Sequence, residues 1–341
     1  MKEGLGAFFL NGALAVFLFF SGVFSWLTPL PIFYIAKRFS LKSAVFTSVL
    51  IAFFLVLSYH FLFLHFPEGT PFLNWLPGMS YQKLFDAKVV WASVLVDWLF
   101  YASIGCSLAH WISTEKKVLS LLTKVIFTSL GIASFVVLIL AQAQLSLLVD
   151  SVQKYLSFAL DQVIVLNKSS GLSGDEIGFL EANRTVILKA AFGVIPSVTF
   201  VATLLVSWIN LVLGRRILLI SGKQVPLEDL SLVRLPFYFV WMVIANLALY
   251  LIHIYFLKNT FAVYVVINLS IVLSVIYFLQ GLSIAHFYFA VRAFSPFIRW
   301  GAYLMFFLFL QPMALLLVGV GFFDSWFNFR KHAIPSSHQK K

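Results

Sequence analysis

The chain has 341 residues, of which 61% are hydrophobic and only 11% are charged, and its formal net charge is +11. A soluble domain carries about 25% charged residues because its surface faces water, so this composition excludes an ordinary soluble enzyme. The excess of Lys and Arg is spread over short connections, which indicates a signal for membrane orientation rather than nucleic-acid binding.

Eight apolar runs are long enough to cross a bilayer, at 5–26, 40–62, 89–112, 119–148, 186–212, 236–256, 260–291 and 299–323. In lipid every backbone amide needs an internal partner, so these runs predict helices. The first run resembles a signal peptide, but no small-x-small pattern closes it, so we interpret it as an uncleaved helix. The sequence predicts an all-α polytopic membrane bundle with eight or nine transmembrane helices.

The stretch 27–36 is ambiguous, because Pro29 and Pro31 interrupt it and its length is too short to cross a core of about 30 Å. It is either a discontinuous half-span or the kinked end of the first helix. The only sizeable segment outside the spans is 149–185, whose first part keeps a helical rhythm that continues run 119–148 as an amphipathic helix. Ser173 and Glu176 form the pattern of a capping box for a further short helix.

The connections alternate in charge along the chain. One set holds twelve bases against three acids, and the alternating set holds seven bases and seven acids. The first set is therefore predicted to be cytoplasmic. Its bases are Lys37, Arg38, Lys42, Lys116, Lys117, Lys124, Arg215, Arg216, Lys223, Arg234, Arg292 and Arg299. The basic tail 324–341 conflicts with this rule if run 299–323 spans, so either that run does not fully cross or the tail is an exception.

Among the 13 acidic residues and the 24 Lys and Arg residues, only Asp97 lies well inside a predicted span. An ionised carboxylate at that depth costs about 2.5–3.5 kcal/mol on insertion scales. It must therefore be protonated, be paired or face a water-filled cavity. We hold two interpretations open, namely a substrate or proton site and a neutral Asp bonded to a neighbouring helix. Tyr101 lies one turn further along the same run.

Other polar residues form seams on predicted helices. Asn246, Tyr250 and His253 share one face, and Thr199 and Thr203 follow Pro196 on another helix. Asn268 lies within run 260–291. These residues are candidates for binding a substrate inside the membrane, but interhelical hydrogen bonding is the simpler interpretation of each seam. No metal-ligand set, nucleotide loop or nucleophile motif is present, so we expect no catalytic residues, no metal, no cofactor and no enzyme activity.

Several stretches resemble the YybS-like family of predicted bacterial membrane proteins, also called domain of unknown function 2232. The resemblance rests on Pro29-Leu30-Pro31 before Lys37-Arg38, on Pro196 leading to Arg215-Arg216, on Arg234-Leu235-Pro236, on the run from Tyr277 to Gly281, and on the ending from Gly321 to Lys331. That family is distantly similar to the substrate-capture subunits of energy-coupling-factor transporters. This similarity implies a six-helix unit over 1–215, an additional three-helix region over 216–323 and a basic polar tail over 324–341.

Two functions follow as expectations. The first is small-molecule transport or substrate capture in the bacterial inner membrane, with lipid, an unknown small molecule and another membrane protein or transporter subunit as partners. The alternative is a scaffold protein in envelope growth or cell shape, since the same fold group resembles such scaffolds. Fold similarity alone does not decide between them.

Overall fold

A computed structural model describes residues 2–65, 87–140, 145–169, 174–257, 259–292 and 294–333. In these ranges all regular structure is helical, and seven helices are long and apolar enough to cross a membrane, with a shorter apolar stretch at Gly6–Phe20. The predicted all-α polytopic bundle is therefore confirmed. The helices are α1 Lys2–Phe20, α2 Pro29–Arg38, α3 Leu41–His65, α4 Ala87–Trp111, α5 Val118–Leu140, α6 Leu145–Ser169, α7 Gly174–Ala182, α8 Arg184–Ile220, α9 Tyr238–Ile252, α10 Thr260–Val291, α11 Pro296–Leu308 and α12 Leu310–Phe327.

The proline-interrupted stretch 27–36 forms a separate helix, α2, rather than the end of α1. A turn at Gly22 with φ of +65° and a 3₁₀ turn at Ser25–Leu27 intervene between the two helices. Pro29 lies in the first turn of α2, where its missing N–H leaves no hydrogen bond unmade. The helix is buried at Ile32, Phe33 and Ile35.

The chain divides into two compact units. The first unit comprises Met1–Glu115, Leu121–Ile195 and Ala202–Pro226, and the second comprises Lys116–Ser120, Pro196–Val201 and Leu227–Lys341. The predicted boundary near residue 215, drawn from the family resemblance, stays a prediction.

The core of the first unit is centred on Trp98 of α4, whose side chain is fully buried. Its indole N–H donates to the carbonyl oxygen of Ser48 in α3 at 2.8 Å, which satisfies the polar atom of a buried ring. Phe19 packs edge-on against the same ring. The short α2 lies close to α4 because Gly105 has no side chain, and a Cβ there would lie 2.6 Å from the carbonyl oxygen of Pro29.

The core of the second unit forms where α10 crosses α12. Phe239, Leu273 and Tyr277 are buried there. Gly281 and Gly321 allow the two backbones to touch, since a Cβ on either would collide with the facing carbonyl oxygen, that of Leu317 or Tyr277. Small residues that permit such approach are the usual means of helix packing in lipid, where no hydrophobic driving force acts between helices.

The last apolar run is broken at Phe309 into α11 and α12. After α12 the chain returns to the C-terminal third of α10. There the hydroxyl of Tyr288 donates a hydrogen bond to the carbonyl oxygen of Phe329 at 2.8 Å. The basic residues Arg330 and Lys331 thus begin the tail near the end of α10 that bears Arg292. This geometry favours the alternative in which run 299–323 does not carry the tail to the opposite side. Lys340 and Lys341 lie outside the described residues.

The predicted extramembrane segment 149–185 contains most of α6 and all of α7. The two oxygens of the Asp161 carboxylate accept hydrogen bonds from Arg184, at 2.5 and 3.1 Å, which connects α6 to the start of α8. This hydrogen bonding holds the pKa of Asp161 below its usual value. The predicted helix continuation across 141–144 and the cap at Ser173 lie outside the described residues.

Candidate functional site

Asp97 lies on the exposed face of α4, although the neighbouring Trp98 is fully buried. Ser93, Asp97 and Tyr101 are spaced four residues apart, so they follow one another along the same side of the helix. Ser93 and Asp97 are exposed and Tyr101 is half-buried. Among the described residues, none donates a hydrogen bond to the Asp97 carboxylate or forms an ion pair with it.

Two tyrosine side chains lie close enough to Asp97 to interact with its charge. One is Tyr101, and the other is Tyr59 of α3, which is buried. The side chain of Ser25, in the turn between α1 and α2, lies close to the hydroxyl of Tyr101. Side chains from three segments of the first unit therefore lie near Asp97 or Tyr101, and we call Ser25, Tyr59, Asp97 and Tyr101 the acidic cluster.

The acidic cluster can bind a group that donates hydrogen bonds or carries positive charge. An ionised carboxylate only accepts, whereas each tyrosine hydroxyl can donate or accept. The predicted pair of Asp97 and Tyr101 is brought together here. Sequence reasoning missed Tyr59, because its approach to Asp97 depends on how α3 packs against α4. It also missed Ser25, because its approach to Tyr101 depends on the turn before α2.

The two candidate threonines that follow Pro196 on α8 differ in burial. Thr203, in the first unit, is fully buried, whereas Thr199, in the second unit, is exposed. Two residues four apart would ordinarily lie on one face. Their different burial means that they do not line one equally accessible surface.

Asn268 has a structural role beside the proline kink. Its side-chain oxygen accepts a hydrogen bond from the backbone N–H of Ser197 at 2.8 Å, and its amide nitrogen donates to the carbonyl oxygen of Tyr264 at 2.8 Å. A proline inside a membrane helix frees backbone groups, which neighbouring helices must satisfy. Asn268 thus completes the backbone hydrogen bonding of α8.

Asn246 is likewise engaged between helices. Its side-chain amide donates to the hydroxyl oxygen of Ser270 at 2.7 Å, and the residue is buried. Tyr250 on the same helix is 47% exposed, so the predicted seam is not a uniform face. His253 begins a π-helical turn, His253–Leu257, that ends the regular part of α9. The contacts of Asn246 and Asn268 match the interhelical interpretation of these seams.

A buried ion pair lies where sequence analysis predicted only a polar tail. Asp324 in α12 and Arg330 beyond it are both nearly inaccessible, and their charged atoms are 3.2 Å apart. The Asp324 carboxylate also accepts from the side chain of Gln280 at 2.8 Å and from the backbone N–H of Phe329 at 2.9 Å. Arg330 donates to the hydroxyl of Ser283 at 3.0 Å. We call Gln280, Ser283, Asp324 and Arg330 the tail lock.

Asp324 thus joins Asp97 as an acid within a membrane-length helix. The sequence-based boundary of the last run ended at residue 323, which left Asp324 outside it. The sequence marks the tail lock only by an acid, Asp324, and a base, Arg330, on either side of Asn328. In the structure, the φ of +47° at Asn328 turns the chain back and lets the two charges meet. In the part of the chain that the structure describes, no three His, Cys, Asp or Glu side chains are grouped to hold a metal ion.

Comparison with known proteins gives one family and no individual relative. No curated protein and no solved structure matches the chain. The sequence profile of the family described as Predicted membrane protein (DUF2232) matches residues 89–325, which include Asp97 and every residue of the tail lock except Arg330. Because this match covers more than half of the chain, the protein belongs to the DUF2232 family of predicted membrane proteins.

Proposed function

We propose that the protein captures or transports a small polar molecule through the acidic cluster, without converting it chemically. The observation that carries the proposal is the Asp97 carboxylate, which is exposed and beside two tyrosine side chains but accepts no hydrogen bond from a described residue. Such a group is costly in hydrocarbon and becomes favourable when a ligand or water satisfies it.

The surroundings of Asp97 favour a ligand that carries an amine or another strong donor. A carboxylate accepts hydrogen bonds from an ammonium group, and the faces of aromatic rings attract cations. Phe19 packs against both Trp98 and Tyr101, which provides a rigid apolar base for the cluster. Preorganised side chains of this kind lose little entropy when a ligand binds.

The proposal places the protein in the bacterial inner membrane with lipid as its immediate surroundings. The positive-inside pattern and the uncleaved first helix support this location. A further membrane subunit as partner is compatible with the family resemblance.

The test is a thermal-shift screen of the purified full-length protein in detergent against a panel of small primary and quaternary amines. A true ligand at 100 times its Kd stabilises the folded state by about 2.7 kcal/mol. The Asp97→Asn variant should lose this stabilisation, while Asp150→Asn, which removes an exposed acid from α6, should retain it. Equal stabilisation of both variants would exclude Asp97 as part of the binding site.

The alternative function is a membrane scaffold. The observation that favours it is the close packing of polar seams in the second unit, where Asn246 and Asn268 are engaged by neighbouring helices. A scaffold should retain its membrane partners when Asp97 is replaced by Asn. Chemical cross-linking in cells, followed by identification of partners lost on disruption of the tail lock, would support this alternative.

A further inference from the structure

Two lysines and a serine come together at the C-terminal ends of three helices of the first unit. Lys37 lies in the last turn of α2, Ser113 follows the end of α4, and Lys223 follows the end of α8. The ammonium of Lys37 donates a hydrogen bond to the hydroxyl of Ser113. The ammonium of Lys223 donates to the carbonyl oxygen of Lys37 at 2.9 Å.

The two lysines repel each other, and no carboxylate in the described ranges neutralises either of them. Burial and the charge of Lys223 together lower the pKa of Lys37. The nearby lysine of α5 differs, because Lys124 pairs with Glu115 and lies over the ring of Trp111. A cation near the C-terminal end of a helix offsets that helix's dipole, which accounts for one lysine on α2 and one after α8. It does not account for the position of the two ammonium groups beside each other without a carboxylate partner among the described residues.

Both ammonium groups have donors to spare. A lysine ammonium has three N–H donors, and each of these two is seen to use one on a protein oxygen. Lys223 and Ser113 are exposed and Lys37 is half-buried, so an approaching group can reach all three. The site lies among connections that the charge pattern predicts to be cytoplasmic, where anionic headgroups gather.

We propose that Lys37, Lys223 and Ser113 form a binding site for a phosphate group. A phosphate presents several strong acceptor oxygens to these donors and offsets the repulsion between the two ammonium groups. The phosphate could belong to the headgroup of an anionic lipid or to a soluble phosphate ester. The site is separate from the acidic cluster and does not depend on the function proposed for it.

The test compares the wild-type protein, the double variant Lys37→Gln/Lys223→Gln and the single variant Lys223→Gln. Lys117→Gln serves as control, since Lys117 is also exposed and predicted to be cytoplasmic. Native mass spectrometry of protein released from nanodiscs measures retained phosphatidylglycerol against phosphatidylcholine. Thermal shift in detergent with inorganic phosphate measures binding of the soluble form. Lys37→Arg/Lys223→Arg keeps the charge and reports on folding.

We expect the Lys223→Gln change to reduce phosphate-group binding about fivefold, the effect of one lysine near an anionic surface. The double variant should lose more, and the control and the arginine variant should bind as the wild type does. Loss of phosphatidylglycerol alone identifies a lipid site, and loss of the inorganic phosphate shift alone identifies a soluble ester site. Unchanged binding of both probes by the double glutamine variant would overturn the proposal.

Discussion

The side-chain oxygen of Asn268 accepts a hydrogen bond from the backbone N–H of Ser197 at 2.8 Å. Ser197 directly follows Pro196, the proline inside α8. The side chain of one helix thus completes the hydrogen bonding of another at the point where a proline disturbs it. We expect Asn268→Ala to destabilise the protein by about 1–3 kcal/mol, because it leaves a buried N–H without a partner. Unfolding in mixed detergent micelles measures the loss.

A double-variant cycle tests the cause of that loss. Pro196→Ala restores a backbone N–H and allows α8 to straighten, so Ser197 can then bond within its own helix. The Asn268→Ala change should therefore cost less in the Pro196→Ala background than in the wild type. Equal costs in the two backgrounds would show that Asn268 does not act through the kink.

The crossing of α10 and α12 gives a second prediction, with a control on one of the same two helices. Gly281→Ala introduces a Cβ against the carbonyl oxygen of Leu317, so the helices must separate, at a cost of about 1–3 kcal/mol. Gly319 has no atom within 4 Å of its would-be Cβ. Gly319→Ala should therefore be neutral or stabilising by up to about 1 kcal/mol, as expected from helix propensity. The same unfolding assay compares the two, and equal effects would contradict the close crossing.

The tail lock gives a third prediction. Removal of one partner from a buried ion pair leaves a charge without compensation and costs about 3–5 kcal/mol. Asp324→Asn should therefore destabilise strongly, whereas Asp324→Asn combined with Arg330→Met should recover part of the loss. Lys331→Gln, an exposed neighbour, should change stability by no more than about 0.5 kcal/mol. If the double variant Asp324→Asn/Arg330→Met is less stable than Asp324→Asn alone, the unpaired charge of Arg330 is not what destabilises the single variant.

The side on which the tail lies can be measured by cysteine labelling, since Cys106 is the single cysteine of the chain. In a Cys106→Ala background we expect Ser336→Cys to match Ser221→Cys in its reactivity toward a membrane-impermeant maleimide in intact cells. Asp175→Cys, in the segment predicted to be outside, should differ from both. If Ser336→Cys behaves like Asp175→Cys, the last run crosses the membrane and the tail is an exception to the charge rule.

Apolar run length predicted most of the helices, since a bilayer imposes one length and one backbone solution on every span. The same reasoning could not resolve α2, because a ten-residue helix carries too little hydrophobic length to identify its role. It also missed the tail lock, since the burial of Asp324 and Arg330 depends on a turn at Asn328 and on partners some forty residues away. Asp97 was predictable from its depth alone, but Tyr59 was not, because it comes from another helix.

The most direct test of the proposed function is the accessibility of position 97. In the Cys106→Ala background, Asp97→Cys is treated with a positively charged, membrane-impermeant methanethiosulfonate in proteoliposomes, with Val49→Cys on the exposed face of α3 as the lipid-facing control. If position 97 faces an aqueous approach to the acidic cluster, we expect the thiol of the Asp97→Cys variant to react at least about tenfold faster than that of the Val49→Cys variant, because thiolate chemistry requires water. Equally slow reaction of both variants would show that position 97 faces lipid and would contradict a binding site there.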